Sequence, residues 1–256
     1  MRLLILTDLD GTLLDHASYE FSPARPVLDL LADRGVPVVL ASSKTAAEIA
    51  LWQQRLGLAR WPAVVENGAA LFDGHFDDAA YRRLRAALAE IGAPFRGFGD
   101  MEVAEVMELT GLSPEDAALA RKREHSEPGL WLGTEAELPA FLDALAARGI
   151  TARRGGRFLT LSFGASKAAR LSELRARFAS DLVLALGDAP NDAEMLEAAD
   201  RGVIVRNDHG PGLPPLAGEA SGRIRRSRAP GPAGWAEGVG ALLTEIGWTG
   251  KGDVNG

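Results

Sequence analysis

Arg2-Leu3-Leu4-Ile5-Leu6-Thr7-Asp8-Leu9-Asp10-Gly11-Thr12-Leu13-Leu14 opens with a short apolar run and leaves it through two aspartates spaced i, i+2, a glycine and a threonine hydroxyl. Strand side chains alternate faces, so residues two apart point the same way and can converge on one ligand where the backbone leaves a sheet. That rule places Asp8 and Asp10 together. Paired carboxylates at a strand end suit the binding of a hard cation, and acid/base or nucleophilic work on a phosphate. Asp-Gly alone is common turn chemistry, whereas Asp-x-Asp-Gly-Thr after an apolar strand is a much rarer pattern.

Working outward, Ser22-Pro23 supplies a cap and a first-turn proline for a helix that runs to Leu31. Residues 36–41 are continuously apolar, as expected of a strand buried on both faces, and end in Ser42-Ser43-Lys44-Thr45. Thr45 and Glu48 form a capping-box pattern for a helix to about 56, with Leu51 and Trp52 expected on its apolar side. Strand, helix, strand, helix predicts parallel strands joined by right-handed crossovers. Ligands of such sheets gather at the carboxyl ends of the strands, where Asp8 and Ser42 both fall.

A third strand over 63–65 leads into Glu66-Asn67-Gly68-Ala69 and an edge segment over 70–72. From about residue 78 the character changes. Helices are predicted over 81–91, 101–109, 114–121 and 134–148, a strand over 129–132, and a hairpin of 150–154 with 157–163 around Gly155-Gly156. An antiparallel hairpin inside an otherwise parallel chain marks a separate unit. The expected fold is therefore α/β: a Rossmann-like parallel-sheet core, residues 1–77 and 166–256, with an inserted α+β cap domain over 78–165. The returning core starts with a helix from Ser166-Lys167 to about 178. An apolar strand over 182–186 then runs straight into Gly187-Asp188-Ala189-Pro190-Asn191-Asp192. A helix with Met195 and Leu196 follows, then a strand over 203–205, a Pro-, Gly- and Arg-rich stretch over 210–234, and a last helix over 235–246; the tail from Thr249 reads as mobile.

Composition narrows the function classes. With 46% hydrophobic and 25% charged residues the chain is typical of a soluble globular protein. The first apolar run is too short for a signal peptide, and no run reaches the length of a membrane span, so a cytoplasmic location without membrane partners is expected. There is no cysteine, which removes disulfides, thiolate catalysis and Cys-ligated metals. A net charge of -7 argues against nucleic-acid binding but leaves room for a small anion held by local positive groups. The basic residues are skewed to 24 arginines against four lysines, a bias that a thermophilic source and a GC-rich genome would both produce.

Asp8/Asp10, Ser42, Lys167 and Gly187-Asp188-x-x-Asn191-Asp192 form four stations whose order resembles the haloacid dehalogenase-like phosphatases along the chain up to its tail. The resemblance implies that Asp8 attacks phosphorus to form an aspartyl-phosphate, and that Asp10 is the proton carrier. Ser42 and Lys167 would contact the phosphoryl group. It also implies Mg²⁺ held by Asp8, the Asp10 backbone carbonyl and Asp188, with Asn191 and Asp192 orienting water and Lys167. Only 34 residues separate Asp8 from Ser42, but 125 separate Ser42 from Lys167, and in this family an insertion there is a cap that selects the leaving group.

Three further stretches, Ser42-Ser43-Lys44-Thr45, Glu66-Asn67-Gly68-Ala69 and Arg123-Glu124-His125-Ser126-Glu127-Pro128, join Gly231-Pro232-Ala233-Gly234-Trp235 in a pattern similar to mannosyl-3-phosphoglycerate phosphatases. The implied substrate is a small anionic phosphorylated glycoside carrying phosphate, carboxylate and sugar. Lys44 and Arg123 are candidates for its carboxylate, Glu66 and Asn67 for its hydroxyls, and Ser43 is a further substrate-binding candidate. His125 reads as structural. A broader sugar-phosphate phosphatase and a phosphomannomutase-like isomerase share the core pattern and stay open. The choice between mannosyl and glucosyl groups rests on a few hydrogen bonds that sequence does not resolve.

Overall fold

Leu3–Thr7 forms β1, buried at every position, as a strand with neighbours on both edges must be. The computed structural model describes residues 1–155, 157–164, 166–210 and 212–248. After β1 come α1 (Arg25–Asp33) and β2 (Val38–Leu40). Then follow α2 (Ala46–Leu56), β3 (Ala63–Val65), β4 (Ala70–Phe72), α3 (Ala79–Ile91), β5 (Phe95–Gly97), α4 (Val103–Thr110), α5 (Pro114–Ala120) and β6 (Ser126–Trp131). Next are α6 (Leu138–Ala146), β7 (Thr151–Gly155), β8 (Phe158–Ser162), α7 (Lys167–Phe178), β9 (Leu182–Gly187) and α8 (Ala193–Ala198). The chain closes with β10 (Arg201–Arg206), α9 (Ala217–Ala220), β11 (Ile224–Pro230) and α10 (Gly231–Glu245). It divides into two units, Met1–Ala41 with Lys167–Gly256, and Ser42–Ser166.

The first unit is built on a five-stranded sheet in the order β11-β10-β9-β1-β2, with every pair parallel. This is the expected α/β class with a parallel core. Thr7 pairs with Leu40 on one side and Leu186 on the other, so the carboxyl ends of β1 and β9 finish level. α10 buries Trp235, Val239, Leu242 and Leu243 and packs against β10 and β11. At the sheet's outer edge, β11 is buried only at Ile224, while Arg225, Arg226 and Arg228 face solvent. Its pairing with β10 is interrupted by a register shift between Ile204 and Arg206.

The second unit has a four-stranded antiparallel sheet in the order β5-β6-β8-β7 and a separate β3-β4 pair. Leu84 from α3 and Phe141 and Leu145 from α6 pack with Ile150, Leu159 and Leu161. A second cluster joins Phe98, Met101, Val106 and Ala117. The Thr45–Glu48 capping box is present in full: Glu48 N–H donates to the Thr45 hydroxyl at 3.2 Å, and Thr45 N–H donates to the Glu48 carboxylate at 2.8 Å.

Several local expectations need correction. The 63–65 strand is not a member of the parallel sheet; it pairs antiparallel with β4, and it lies in the unit Ser42–Ser166 together with the whole of 78–165. Leu51 faces solvent at 43% exposure, because α2 buries Ala46, Ile49, Gln53 and Leu56 instead. Ser22 does not cap α1: residues 22–24 form a 3-10 turn and Pro26 enters the first helical turn. β5 lies where the sequence pattern predicts no element, β11 forms inside the Pro-, Gly- and Arg-rich stretch, and α10 begins at Gly231 instead of Trp235. The pairing of β7 with β8 is as predicted; Gly156 and the tail from Thr249 lie outside the described residues. Among the described residues no helix is long and apolar enough to cross a membrane.

Candidate active site

Three adjacent parallel strands deliver side chains to one end of the first unit's sheet. Asp8 follows β1, Asp188 follows β9 and Asn207 follows β10. After Asp8 the backbone turns around the Leu9 carbonyl, which accepts from Thr12 N–H at 3.3 Å and Leu14 N–H at 2.8 Å. Gly11 takes φ +79° in this turn, and a Cβ there would sit 2.5 Å from Asn207 Nδ2 and 2.9 Å from Asp188 Oδ2. Both the left-handed backbone and the close approach exclude a side chain at this position. The turn keeps Asp10 two residues beyond Asp8, half-buried and bridged to Leu14.

Lys167, the first residue of α7, is 2% exposed and donates to Asp8 Oδ1 and to Asp192 Oδ1, both at 2.7 Å. The other Asp192 oxygen accepts from the N–H groups of Asp188 and Ala189, each at 3.2 Å. Asp192 is therefore committed to holding Lys167 and the start of the 3-10 turn over 190–192. Asp188 accepts from the Thr12 hydroxyl at 2.6 Å and from Asn207 Nδ2 at 2.7 Å. Asn207 is itself oriented by His209 N–H, which donates to its Oδ1 at 2.9 Å. Asn191 is exposed in the same 3-10 turn.

Carboxylate oxygens of Asp8, Asp188 and Asp192 all lie within 4.8 Å of one another, and all three residues are buried. At that spacing each like-charge pair repels by about 3–4 kcal/mol at intermediate dielectric. One lysine balances three carboxylates. Burial pushes the Asp8 carboxyl well above its ordinary pKa against the pull of Lys167, and the neighbouring Asp192 and Asp188 charges push it further. Burial also raises Asp188, while its bonds from Asn207 and Thr12 oppose the shift. Burial disfavours the Lys167 ammonium, but Asp192 and Asp8 outweigh it and hold the lysine charged. An all-oxygen donor set with surplus negative charge fits a hard divalent cation.

The second unit gathers the remaining expected residues. Ser42 is buried; its N–H donates to Val64 O at 3.0 Å, its carbonyl accepts from Asn67 N–H at 2.9 Å, and its hydroxyl accepts from Lys44 N–H at 3.2 Å. Ser43 is exposed, and Lys44 Nζ lies 3.7 Å from Glu48. Glu66 and Asn67 are both left-handed, at φ 52° and 59°, which is uncommon for side-chain-bearing residues and favours a strongly held turn.

The Glu66 side chain is buried and already surrounded by donors. Its carboxylate accepts from Glu124 N–H at 2.9 Å, His125 N–H at 3.2 Å and Ser126 Oγ at 2.7 Å, and it pairs with Arg123 Nη2 at 3.2 Å. Arg123 is buried and also donates to Ser126 Oγ at 2.7 Å and to Ser43 O at 3.4 Å. The stretch over 123–126 is thus a folded junction. A second buried acid, Glu127, accepts from Tyr81 Oη at 2.7 Å, Arg85 Nη1 at 3.0 Å and Gly99 N–H at 3.1 Å.

Thr12 and Asn207 were not assigned roles from sequence. Thr12 stands in the opening motif, and Asn207 falls at the carboxyl end of a strand, the place where such sheets keep their ligands.

The sequence pattern of the haloacid dehalogenase-like hydrolases matches residues 5–85 and 135–210, more than half of the chain. Solved structures with the same fold include a protein of Thermotoga maritima, at 17% identity and TM-score 0.64 over 96% of this chain and 98% of that one. A phosphatase-superfamily protein of Bacteroides thetaiotaomicron gives 18% identity and TM-score 0.63 over 97% and 96%. A haloacid dehalogenase-like hydrolase of B. subtilis gives 18% and 0.60 over 95% and 99%. With its pattern matched over most of its length and its aspartates and lysine assembled at the sheet's carboxyl end, the chain belongs to the haloacid dehalogenase-like hydrolases.

Proposed function

We propose that the protein is a cytoplasmic, magnesium-dependent phosphomonoester hydrolase that removes phosphate from mannosyl-3-phosphoglycerate to leave mannosylglycerate. The observation that carries the phosphatase reading is the buried group of three aspartates around Lys167. Asp8 attacks phosphorus and forms an aspartyl-phosphate that water then hydrolyses. Asp10 protonates the leaving alkoxide and later takes a proton from the water. Lys167, pinned by Asp192, keeps Asp8 oriented and places positive charge beside the transferring group. Thr12 and Asn207 fix Asp188 by one hydrogen bond to each oxygen. Asp8, the Asp10 carbonyl and Asp188 would hold the magnesium ion, whose charge offsets the repulsion between the carboxylates and a phosphate dianion.

Ser42 donates its hydroxyl to a phosphate oxygen in this reading, and residues 78–165 act as the cap that selects the leaving group. Ser43, Lys44, Asn67 and Arg123 receive the phosphoglycerate carboxylate and the sugar. Glu66 acts one step back, by holding Arg123 and the turn that carries Asn67. The substrate proposal rests on the family resemblance of the 42–45, 66–69, 123–128 and 231–235 stretches.

The test is inorganic phosphate release from mannosyl- and glucosyl-3-phosphoglycerate and from simple sugar phosphates, each with Mg²⁺ or with EDTA. Release that requires Mg²⁺ and is fastest from the mannosyl compound is expected. Fast release from plain sugar phosphates would make the enzyme a broad sugar-phosphate phosphatase. Movement of phosphate between sugar positions without release would mean a phosphomannomutase-like isomerase.

A further inference from the structure

The Gly231-Pro232-Ala233-Gly234-Trp235 stretch takes no part in the chemistry above, yet its tryptophan reaches the residue beside the nucleophile. Trp235 is fully buried, and its Nε1–H donates to Thr7 Oγ1 at 3.0 Å. Thr7, also fully buried, donates its hydroxyl hydrogen to the Asp8 carbonyl oxygen at 2.7 Å. We propose that Trp235 is a positioning residue for phosphoryl transfer, acting through Thr7 to fix the backbone of Asp8. This inference rests on Asp8 being the nucleophile.

The argument is one of hydrogen-bond direction. An indole nitrogen can only donate, whereas a hydroxyl has one hydrogen and two lone pairs. Once Trp235 donates to Thr7 Oγ1, the single Thr7 hydrogen is free to point only elsewhere, and the structure aims it at the Asp8 carbonyl. Asp8 needs this partner because it lies where β1 leaves the ladder. Its N–H still donates to Leu186 O at 2.9 Å, and the Thr7 carbonyl still accepts from Ala41 N–H at 2.7 Å. The Asp8 carbonyl is the first group past the regular pairing of β1 with β2 and β9, and the Thr7 hydroxyl serves it. Both faces of the Thr7–Asp8 backbone are then held, and the carboxylate starts from a fixed stem.

The start of α10 is built to keep the indole in place. Gly231 has φ +50°, and a Cβ there would lie 3.6 Å from Asp15 Cα and 3.9 Å from Leu14 O, so this turn abuts the end of the opening loop. At Gly234 a side chain would collide with Ser227 Oγ and the Ala229 carbonyl. Pro232, between these two glycines in sequence, is buried. The two glycines therefore let the helix begin close against both β11 and the loop that carries Asp10.

The experiment compares Trp235→Phe, Thr7→Val, Thr7→Ser and the Trp235→Phe/Thr7→Val pair for kcat, KM and the rate of phosphoenzyme formation, beside Asp8→Asn. Trp235→Phe keeps an aromatic ring but removes the donor together with part of the buried ring volume, so it is read beside Thr7→Val, which removes the hydroxyl at similar side-chain size; in both, kcat and phosphoenzyme formation are expected to fall about 5- to 20-fold with KM unchanged. Thr7→Val should match it, Thr7→Ser should stay within about threefold of the parent, and the double variant should be no slower than Thr7→Val alone. A kcat within twofold of the parent in folded Trp235→Phe, or losses that multiply in the double variant, overturns the proposal while Asp8→Asn remains inactive. If Trp235→Phe does not fold, the split between Thr7→Val and Thr7→Ser decides, and equal kcat values in the two overturn it. An active Asp8→Asn would instead remove the phosphatase reading beneath it.

Discussion

Two regions of this molecule bury carboxylates, and they settle the charge in opposite ways. At the end of the parallel sheet, Asp8, Asp188 and Asp192 lie together with the Lys167 ammonium bonded to two of them. In the second unit, Glu66 faces Arg123 and two backbone amides, and Glu127 faces Arg85, Tyr81 and an amide. The first group carries surplus negative charge that folding alone does not reward. The second is matched donor for acceptor and fastens loops to strands. Surplus charge marks a place for a ligand, and matched charge marks a joint.

The strongest way to break this contrast is Asp8→Asn. Removing the nucleophile is expected to lower kcat by at least about 10⁴-fold. The metal-free variant should nonetheless melt at or above the parent, because one of three mutually repelling carboxylates is gone. A melting point several degrees lower, by calorimetry in EDTA, would show that the aspartates are held together for stability. Glu66→Gln should do the reverse. It leaves the Arg123 guanidinium buried without its counter-charge, and a loss of about 3–5 kcal/mol in urea unfolding is expected. A loss under about 1 kcal/mol would mean that the Glu66–Arg123 pair is not a joint.

The smallest effect concerns Glu127. Burial holds its carboxyl above the ordinary value of 4.5, against the bonds from Tyr81 and Gly99 and the charge of Arg85. Between the ordinary value and the raised one, the folded protein keeps a proton that the unfolded chain has lost, so this group's contribution to stability rises as pH falls through that window. The melting temperature of the parent relative to Glu127→Gln should therefore move in the parent's favour on going from pH 7 toward pH 5. A gap that stays constant or moves the other way would place the Glu127 proton elsewhere.

What the sequence revealed follows from how local each signal is. β1, the apolar run of β9, the Thr45–Glu48 box and the β7–β8 hairpin are set by neighbours in sequence, and each was legible. β11 was not, because a strand paired on one edge and exposed along most of its length needs almost no apolar residues. Its Arg-rich run between proline and glycine clusters reads as loop. Residues 63–65 carry the right strand pattern, but no sequence rule states which sheet a three-residue strand joins. At the site, Asp8, Lys167, Asp188 and Asp192 were readable from motif grammar and are brought together. Asn207 and Trp235 were not assigned there, since each reaches the site across 19 or more residues of chain. For Glu66, sequence shows that an acid is present but not how many donors already surround it.

The exposed edge at β11 has a consequence for how copies of the chain behave when crowded. An open strand is a template on which a second chain can extend the sheet. Here an incoming strand would have to pass the guanidinium groups of Arg225, Arg226 and Arg228, meet the register shift opposite Ile204 to Arg206, and end against Pro230, which has no N–H to offer. Arg226 also pairs with Glu219, and Arg225 with Glu245. The same arginines that hide this strand from a sequence reader put charge in the path of any second copy that would pair with it.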